Sequence, residues 1–353
     1  MYIARRGAQG AVRSIPASRL GSGGVMIIGT MTQPNSTSPL SLLPAGALRL
    51  TDWGLIQAQG PEAASFLQAQ LTQDVTALST QQARLAGFCS AKGRLQASFV
   101  FWRGDADTIL LACSADLLAA TLKRLAMFVM RAKCKLSDAS ADSALYGLAG
   151  TQAQAWLGDA APSQPWGLCP LGDARVIRLP DAQGQPRYLL AQPAALPAPD
   201  LPALSPGDWA WLEVHSGVVR IVAATVDAFV PQMVNLELVG GVNFQKGCYP
   251  GQEIVARSQY RGTLKRRAQV FDADTVLHAG QEVFHNADLG QPAGQVVLAA
   301  PRAGGGGGSS ALVEIKLAAL ERGSLHADAA SAQAGVAALR RIALPYAIPS
   351  DAA

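Results

Sequence analysis

The most informative stretch of the chain is the octapeptide Lys246-Gly247-Cys248-Tyr249-Pro250-Gly251-Gln252-Glu253. Two glycines bracket the cysteine, and glycine tolerates positive φ angles and lets the backbone approach a ligand closely. Lys246 lies two residues before the thiol, where a cation can favour the thiolate. The amide and carboxylate that follow can read the hydrogen-bonding edge of a heterocycle. The structural alternative is a tight turn around one buried cysteine, since free cysteine is among the most buried residue types.

The region before this octapeptide predicts alternating strands and helices. A helix is expected after Gly60-Pro61-Glu62, because proline suits the first helical turn and an acid suits its positive end. Residues 95–101 and 131–136 alternate apolar and polar side chains as half-buried strands do, and residues 108–112 form a short apolar strand. A second helix opens near Ser114. This order predicts an α+β fold with largely antiparallel sheets.

The character of the chain changes after residue 268. Short apolar segments are separated there by Gly and Pro turns, which predicts a small all-β domain, a barrel. The five glycines at 304–308 lack the following Lys-Ser/Thr of a P-loop and are expected to form a hairpin loop. Upstream, the Pro- and Ala-rich stretch 192–206 predicts a loop, and a helix is expected around Trp209, Leu212 and Glu213.

Composition indicates a folded, multidomain protein. The chain has 353 residues, of which 49% are hydrophobic and 15% charged. No apolar run approaches the roughly 20 residues that span a bilayer. Four arginines before residue 31 account for the net charge of +4, so the basic balance belongs to the leader. We interpret residues 1–36 as a disordered leader or a mis-called start, residues 37–267 as an α+β region of two modules, and residues 268–353 as the barrel domain.

Cysteine and histidine spacing excludes several classes. The five cysteines include no CxxC pair, which fits neither a disulfide framework nor a zinc site and suits a reducing compartment. The four histidines form no HExxH or Ser–His–Asp signature, and no GxGxxG follows a strand. Hydrolase and Rossmann dinucleotide chemistry are therefore disfavoured, and we predict no metal site.

Residues 246–267 are rich in basic side chains. Six bases stand there against the single acid Glu253, namely Lys246, Arg257, Arg261, Lys265, Arg266 and Arg267. The cluster predicts either a patch for an anionic partner, such as a polyglutamate tail, RNA or another protein, or a solvated face at a domain boundary. The segment is short and poor in aromatic residues for an RNA-binding module.

The octapeptide resembles the K-G-C-[YF]-x-G-Q-E signature of the YgfZ family, folate-binding proteins related to the glycine-cleavage T-protein. Two earlier segments, residues 60–75 and Cys89-Ser90-Ala91-Lys92-Gly93-Arg94, look similar too. The resemblance runs from about residue 45 to the C-terminus. The flanks of the octapeptide agree as well, with Phe229-Val230-Pro231-Gln232 and Asn235-Leu236 upstream and Val255-Ala256-Arg257 and Tyr260-Arg261-Gly262 downstream.

The resemblance implies a fold, a function and a setting. The fold would consist of ferredoxin-like α+β modules around a central folate cavity, followed by a small C-terminal β-barrel. The function would be tetrahydrofolate-dependent support of the assembly or repair of iron–sulfur enzymes, including a tRNA-modifying methylthiotransferase. The partners would be folate and those enzymes, without a membrane or a stable cluster of its own. Direct tRNA contact stays open. The compartment would be the cytoplasm, or the mitochondrial matrix if residues 1–30 are a transit peptide.

The resemblance also suggests site residues. Cys248 would be the functionally important, catalytic thiol, and we expect it to border the folate cavity. The candidates for reading the pteridine edge are Glu213, Gln252 and Glu253, and those for holding the anionic glutamate tail are Lys246, Arg257 and Arg261. Gly247, Tyr249 and Gly251 complete the predicted cofactor site around the thiol.

One departure from the T-protein pattern concerns enzyme class. The T-protein places a catalytic Asp on the strand after the first Gly-containing turn, whereas Gly93-Arg94-Leu95-Gln96-Ala97-Ser98 contains no carboxylate. An amide or a methyl group cannot serve as the acid or base that methylene transfer to folate needs. We therefore predict no aminomethyltransferase activity. A folate-dependent one-carbon transferase and a direct RNA-binding module remain as alternative functions.

Overall fold

The computed structural model describes residues 43–104, 107–260 and 264–349. The predicted leader, residues 1–36, lies outside these residues. The described chain forms three sheets whose strand pairs are all antiparallel, together with six α-helices. The α+β prediction is therefore confirmed.

The first sheet carries its helices on one face. Its order is β3 (Ala83–Cys89), β4 (Leu95–Arg103), β5 (Thr108–Ser114), β2 (Trp53–Gln59) and β6 (Lys135–Asp138). Helices α1 (Ala63–Gln68) and α2 (Ala115–Val129) bury Phe66, Leu67 and Leu125 against that face. Both helices begin close to where the sequence predicts.

One strand boundary differs from the prediction. Residues 131–136 were expected to form a strand, but β6 begins at Lys135 and residues 131–134 form a turn. The reason is that Met130 leaves α2 with a φ of 42°, and the Ala132 N–H then donates to the Val129 carbonyl. The polar–apolar alternation there comes from a chain reversal rather than from an extended strand.

The second sheet includes a strand from the beginning of the described chain. Its order is β1 (Gly46–Arg49), β7 (Ser143–Ala149), β10 (Gln185–Pro193), β9 (Ala174–Ala182) and β8 (Leu168–Leu171). Helix α3 (Gly150–Leu157) covers one face, burying Ala153 and Leu157. The Pro- and Ala-rich stretch forms a loop from the end of β10 to helix α4 (Pro206–His215), as predicted.

The third sheet curls back on itself. Its order is β15 (Leu325–His326), β12 (Glu282–His285), β13 (Gly294–Pro301), β14 (Ser309–Lys316), β11 (Arg266–Ala273) and β16 (Arg340–Ile342). The Leu339 N–H donates to the Leu325 carbonyl at 2.7 Å, so the two edge strands approach each other. The glycine run joins β13 to β14 as a hairpin loop. The remaining helices are α5 (Gln252–Tyr260) and α6 (Ala329–Ala334).

The main core joins the two five-stranded sheets. Apolar side chains from the inner faces of both sheets, including Leu55, Val100 and Leu189, pack with Trp209 and Leu212 of α4 in one cluster. These inner faces also enclose a cavity. The division of the chain at residue 267 into an α+β region and a barrel domain stays a prediction.

Candidate functional site: an interior cavity and the Cys248 loop

A small cavity of about 40 Å³ lies between the two five-stranded sheets and helix α4. This volume is well below the range of about 300–1,000 Å³ that is usual for small-molecule sites, and it has room for only a few water molecules. Its walls are mainly apolar, and they include the indoles of Trp53 and Trp166. The polar side chains that line it are Ser98, Arg187, Glu213, Ser216 and Arg220.

Helix α4 brings Glu213 to the cavity. Ser205 caps the helix by accepting from the Asp208 N–H at 3.0 Å, and Pro206 occupies the first turn. Trp209 and Leu212 anchor the helix in the core, which leaves Glu213 in its last turn, at the negative end of the helix dipole. Glu213 is 7% exposed, so a buried carboxylate in this position requires a cation.

Arg220 supplies that cation. Its Nε and Nη2 donate to the two Glu213 carboxylate oxygens, each at 2.9 Å, and its guanidinium also reaches Asp52 and Ser114 at 2.8 Å. The guanidinium lies over the Trp53 ring, 5.2 Å from its centroid. Although burial alone would lower the pKa of Arg220, the Glu213 and Asp52 carboxylates raise it above its ordinary value. Both oxygens of Glu213 therefore accept from Arg220, and each oxygen keeps a further lone pair.

A second arginine in the cavity has a free donor. Arg187 is 3% exposed, and its Nε donates to the Pro180 carbonyl at 3.0 Å. Its Nη1 has no hydrogen-bond partner among the described residues. Burial lowers the pKa of Arg187 to about 10, against the opposing effect of Glu213. The cavity therefore contains both a carboxylate acceptor and an unsatisfied guanidinium donor.

The octapeptide forms an exposed loop at a different place. Gly251, with a φ of 78°, lies against the turn Ser90-Ala91-Lys92-Gly93 that precedes β4. A Cβ on Gly251 would come within 2.4 Å of the Ser90 carbonyl oxygen and 2.6 Å of Gly93 Cα. The fold thus brings the octapeptide into contact with residues 89–94, the earlier segment that also resembles the YgfZ family. Gly247 has open space around it.

Lys246 has a structural role instead of pairing with the thiol. Its Nζ donates to the Leu71 carbonyl at 2.6 Å and to the Gln68 carbonyl, at the C-terminal end of α1. It also lies 5.0 Å from the centroid of the buried Tyr249 ring. Burial lowers the pKa of Lys246 to about 8, only partly opposed by Asp74 and Cys248. The lysine therefore ties the loop to α1.

The other predicted cofactor residues lie on or near helix α5. Gln252 is the first residue of α5, and Glu253 pairs with Arg257 at 3.0 Å on its exposed side. Arg261 lies outside the described residues. The described basic side chains of residues 246–267 differ in their exposure, and the choice between a patch for an anionic partner and a solvated face stays open. Lys246 is buried, Arg267 is buried in an ion pair with Glu237, and Arg266 donates to Glu314 at 2.8 Å.

Cys248 is exposed and does not line the interior cavity. Its loop packs on α1 and on the turn before β4. That Cys248 borders a folate site stays a prediction. Of the predicted cofactor residues, Glu213 alone is among the cavity-lining side chains that the structure describes.

Two other thiols are shielded, since burial raises the pKa of Cys89 and of Cys113 to about 12.

The described part of the chain holds no cluster of three or more His, Cys, Asp or Glu side chains arranged to bind a metal ion. Within the same residues, no helix combines the length and the apolar character that crossing a membrane requires.

Sequence reasoning missed the arginines of the cavity. Arg187 directly precedes the apolar run Tyr188-Leu189-Leu190-Ala191, and a charged residue beside a buried strand is a usable signal. Arg220 follows Val218-Val219 in a loop and gives no comparable signal. Trp166, which has a φ of 65°, could be recognised only from the structure.

The fold is that of the glycine-cleavage T-protein. Aminomethyltransferase T from Bartonella henselae superimposes with a TM-score of 0.63 at 19% identity, covering 79% of this chain and 80% of that one. The predicted T-protein-like fold is therefore confirmed. No model of a known protein family matches the chain.

Sequence relatives identify the family. The tRNA-modifying protein YgfZ of Edwardsiella ictaluri is 40% identical over 256 residues, which cover 68% of this chain and 76% of that protein. The YgfZ protein of Serratia proteamaculans is 34% identical, with coverages of 66% and 72%. That of Colwellia psychrerythraea is 31% identical over 76% of this chain and 90% of its own length. The chain belongs to the YgfZ family.

Proposed function

We propose that this protein binds tetrahydrofolate and serves as an accessory factor in the assembly or repair of iron–sulfur enzymes that include a tRNA-modifying methylthiotransferase. The observation that carries the proposal is the T-protein fold of a YgfZ-family chain. Its small interior cavity buries Glu213 and the unpartnered Nη1 of Arg187. The names of the relatives support the connection with tRNA modification.

The polar groups of the cavity suit the hydrogen-bonding edge of a pterin ring, and the walls have to move apart to admit one. A reduced pterin presents two adjacent donors, the 2-amino group and N3–H, beside an acceptor, the 4-oxo group. The free lone pairs of Glu213 can accept from the donors, and the unpartnered Arg187 Nη1 can donate to the acceptor. The indoles of Trp53 and Trp166 offer flat apolar surface to a ring.

Cys248 is proposed as the functional thiol toward a protein partner. The side chain is exposed, so a partner can reach it, and the Lys246 and Gly251 contacts hold its loop. Stable iron–sulfur clusters are held by several thiolates, so one exposed cysteine suits a transient role. All five cysteines are free, which supports a reducing compartment, and we propose the cytoplasm.

A one-carbon transferase of the T-protein type has less support. Among the described residues that line the cavity, Glu213 carries the only carboxylate, and both of its oxygens accept from Arg220. Ser98, on the strand where the T-protein has its Asp, uses its hydroxyl to accept from the Ile221 N–H at 2.9 Å. A general acid or base with a free carboxylate is therefore not among these side chains.

Calorimetric titration with tetrahydrofolate tests the ligand. The unmodified protein is expected to bind, and Glu213→Gln is expected to bind at least about 10-fold more weakly, because it removes a charged acceptor. Glu253→Gln is the matched control, since this glutamate is exposed on α5 and should leave affinity unchanged. Absence of binding at high micromolar tetrahydrofolate would refute the proposal.

Complementation tests the thiol. In a bacterial strain that lacks its own YgfZ protein, the unmodified chain should restore methylthio modification of tRNA, measured by mass spectrometry of nucleosides. Cys248→Ala should fold and bind tetrahydrofolate normally but fail to restore the modification. Cys169→Ala, which changes another cysteine that is only partly buried, is the control. Full restoration by Cys248→Ala would eliminate the proposed role of this thiol.

A further inference from the structure

A second pocket opens on the third sheet, apart from the interior cavity. Its volume is about 310 Å³, at the low end of the range of about 300–1,000 Å³ that is usual for small-molecule sites. The residues that line the two spaces do not overlap. Part of the lining comes from strands of the third sheet, and part comes from Arg94 and residues 228–233. The pocket therefore lies where the third sheet meets the turn before β4, and its size suits a small ligand.

Three polar side chains form a row across the third sheet. Glu282 of β12 lies directly opposite Gln295 of β13, which lies directly opposite Glu314 of β14. Residues that lie opposite one another on neighbouring strands point to the same face of a sheet. All three line the pocket, so the register of the strands gives it two carboxylates and an amide. Glu282 is exposed, whereas Glu314 is only 2% exposed.

The carboxylate of Glu314 is only partly compensated. Both of its oxygens accept from one nitrogen, Nη1 of Arg266, at 3.0 and 2.8 Å, although a carboxylate can accept about four hydrogen bonds. Burial raises the pKa of Glu314 above its ordinary value, although the cations Arg266, Lys316 and Arg94 oppose this change. A buried carboxylate of this kind would be stabilised by a further donor or cation in the pocket.

Arg94 brings a charge of the opposite sign to the same pocket. Its Nη1 donates to the carbonyls of Asp227, at 3.3 Å, and of Ala228, which fixes one side of the guanidinium. Within the part of the chain that the structure describes, its Nε and Nη2 have no hydrogen-bond partner. A guanidinium with two such donors can bind a carboxylate in a bidentate manner. The pocket therefore offers an anchor for an anion as well as one for a cation.

We propose that this pocket binds a free α-amino acid with an apolar side chain. The ligand carboxylate accepts from the free side of Arg94, and the ligand ammonium group donates to Glu314 and Glu282. The two arginines and two glutamates of the lining sum to zero charge, which suits a zwitterion better than an anion or a cation. Apolar surface for the ligand side chain comes from lining residues of the same pocket, Phe229, Met233 and Pro292. This inference goes beyond the proposed function and does not depend on it.

Titration followed by ligand-detected NMR tests the ligand class. At least one of alanine, valine, leucine and methionine should bind the full-length protein with a dissociation constant below about 10 mM. Its N-acetyl derivative lacks the ammonium group and its amide lacks the carboxylate, so each should bind at least about 10-fold more weakly. These two derivatives also resemble the terminal residues of a peptide, so the comparison separates a free amino acid from a peptide end.

Substitutions test whether the amino acid binds in this pocket. Glu282→Gln removes an exposed charge from the lining and should weaken binding about 3-fold without unfolding the protein. Arg94→Lys keeps the charge without the planar fork and should weaken binding too. Glu321→Gln is the matched control, because this glutamate is also exposed but does not line the pocket, and it should preserve the affinity.

Three results would overturn the inference. Absence of binding by all four amino acids would remove the ligand. Equal affinities for an amino acid and either derivative would remove the recognition of both charges. Equal affinities of the Glu282→Gln and Glu321→Gln proteins, with both shown to be folded by circular dichroism, would place the binding outside this pocket. If Arg94→Lys does not fold, the two glutamine variants decide.

Discussion

The contact between Gly251 and the turn before β4 predicts a large effect of a single methyl group. Gly251→Ala places a Cβ 2.4 Å from the Ser90 carbonyl oxygen and 2.6 Å from both N and Cα of Gly93. All of these atoms belong to the backbone, so no side chain can rotate away. A φ of 78° adds about 1–2 kcal/mol for a residue that has a Cβ. We expect Gly251→Ala to lower the free energy of unfolding by at least about 2 kcal/mol.

Gly247→Ala is the matched control. This glycine also neighbours Cys248, but nothing lies within 4 Å of the position that its Cβ would take, and its φ is not positive. Its free energy of unfolding should stay within about 0.5 kcal/mol of the unmodified protein. Urea denaturation followed by tryptophan fluorescence measures both variants. Equal stabilities of the two variants would show that the loop does not pack on the turn in this way.

Three further predictions concern charge, pH and thiol chemistry. Arg220→Met leaves Glu213 buried without its counter-charge and should lower the free energy of unfolding by about 3–5 kcal/mol in urea denaturation. Burial lowers the pKa of His215 from 6.5, so the unfolded chain binds this proton more readily. The stability that comes from the neutral His215 is therefore present above pH 6.5 and is lost as the pH falls below 6.5. His215→Gln should lose part of this pH dependence when the free energy of unfolding is measured at several pH values. Iodoacetamide should label Cys248 in the native protein but Cys89 only after denaturation, as peptide mass mapping would reveal.

Each of these predictions has a control or an outcome that contradicts it. Arg257→Met breaks an exposed pair and should cost no more than about 1 kcal/mol, so an equal loss in Arg220→Met and Arg257→Met would contradict the buried pairing. If the free energy of unfolding varies with pH in the same way in the unmodified and His215→Gln proteins, His215 makes no contribution to that dependence. Native labelling of Cys89 at the rate of Cys248 would contradict its burial.

The octapeptide and its flanks were enough to predict the fold, because glycine positions and helix starts are local properties. Gly251 does take a positive φ, and α1 and α2 begin where proline, serine and acidic residues indicate. Glu213 was singled out from the sequence as a cofactor candidate, and it does line the cavity. Its binding role stays a prediction.

The features that sequence could not supply depend on distant parts of the chain. The position of Lys246 two residues before the thiol predicts an effect on the thiol, but its long side chain also reaches carbonyl groups that lie about 175 positions earlier. Arg187 comes from a different sheet than Ser98, so no local pattern joins them in one cavity. The sequence also does not show that the neighbours Arg266 and Arg267 form ion pairs with two different residues, Glu314 and Glu237.

Strand β4 connects the Cys248 loop with the interior cavity. It begins just after Gly93, which touches the loop of Cys248 through Gly251, and further along it presents Ser98 to the cavity. Five residues of extended chain span about 17 Å, and hydrogen bonds to β3 and β5 stiffen the strand. One stiff strand therefore links the wall of the interior cavity to the loop that carries the exposed sulfur of Cys248, so a displacement of β4 would move both.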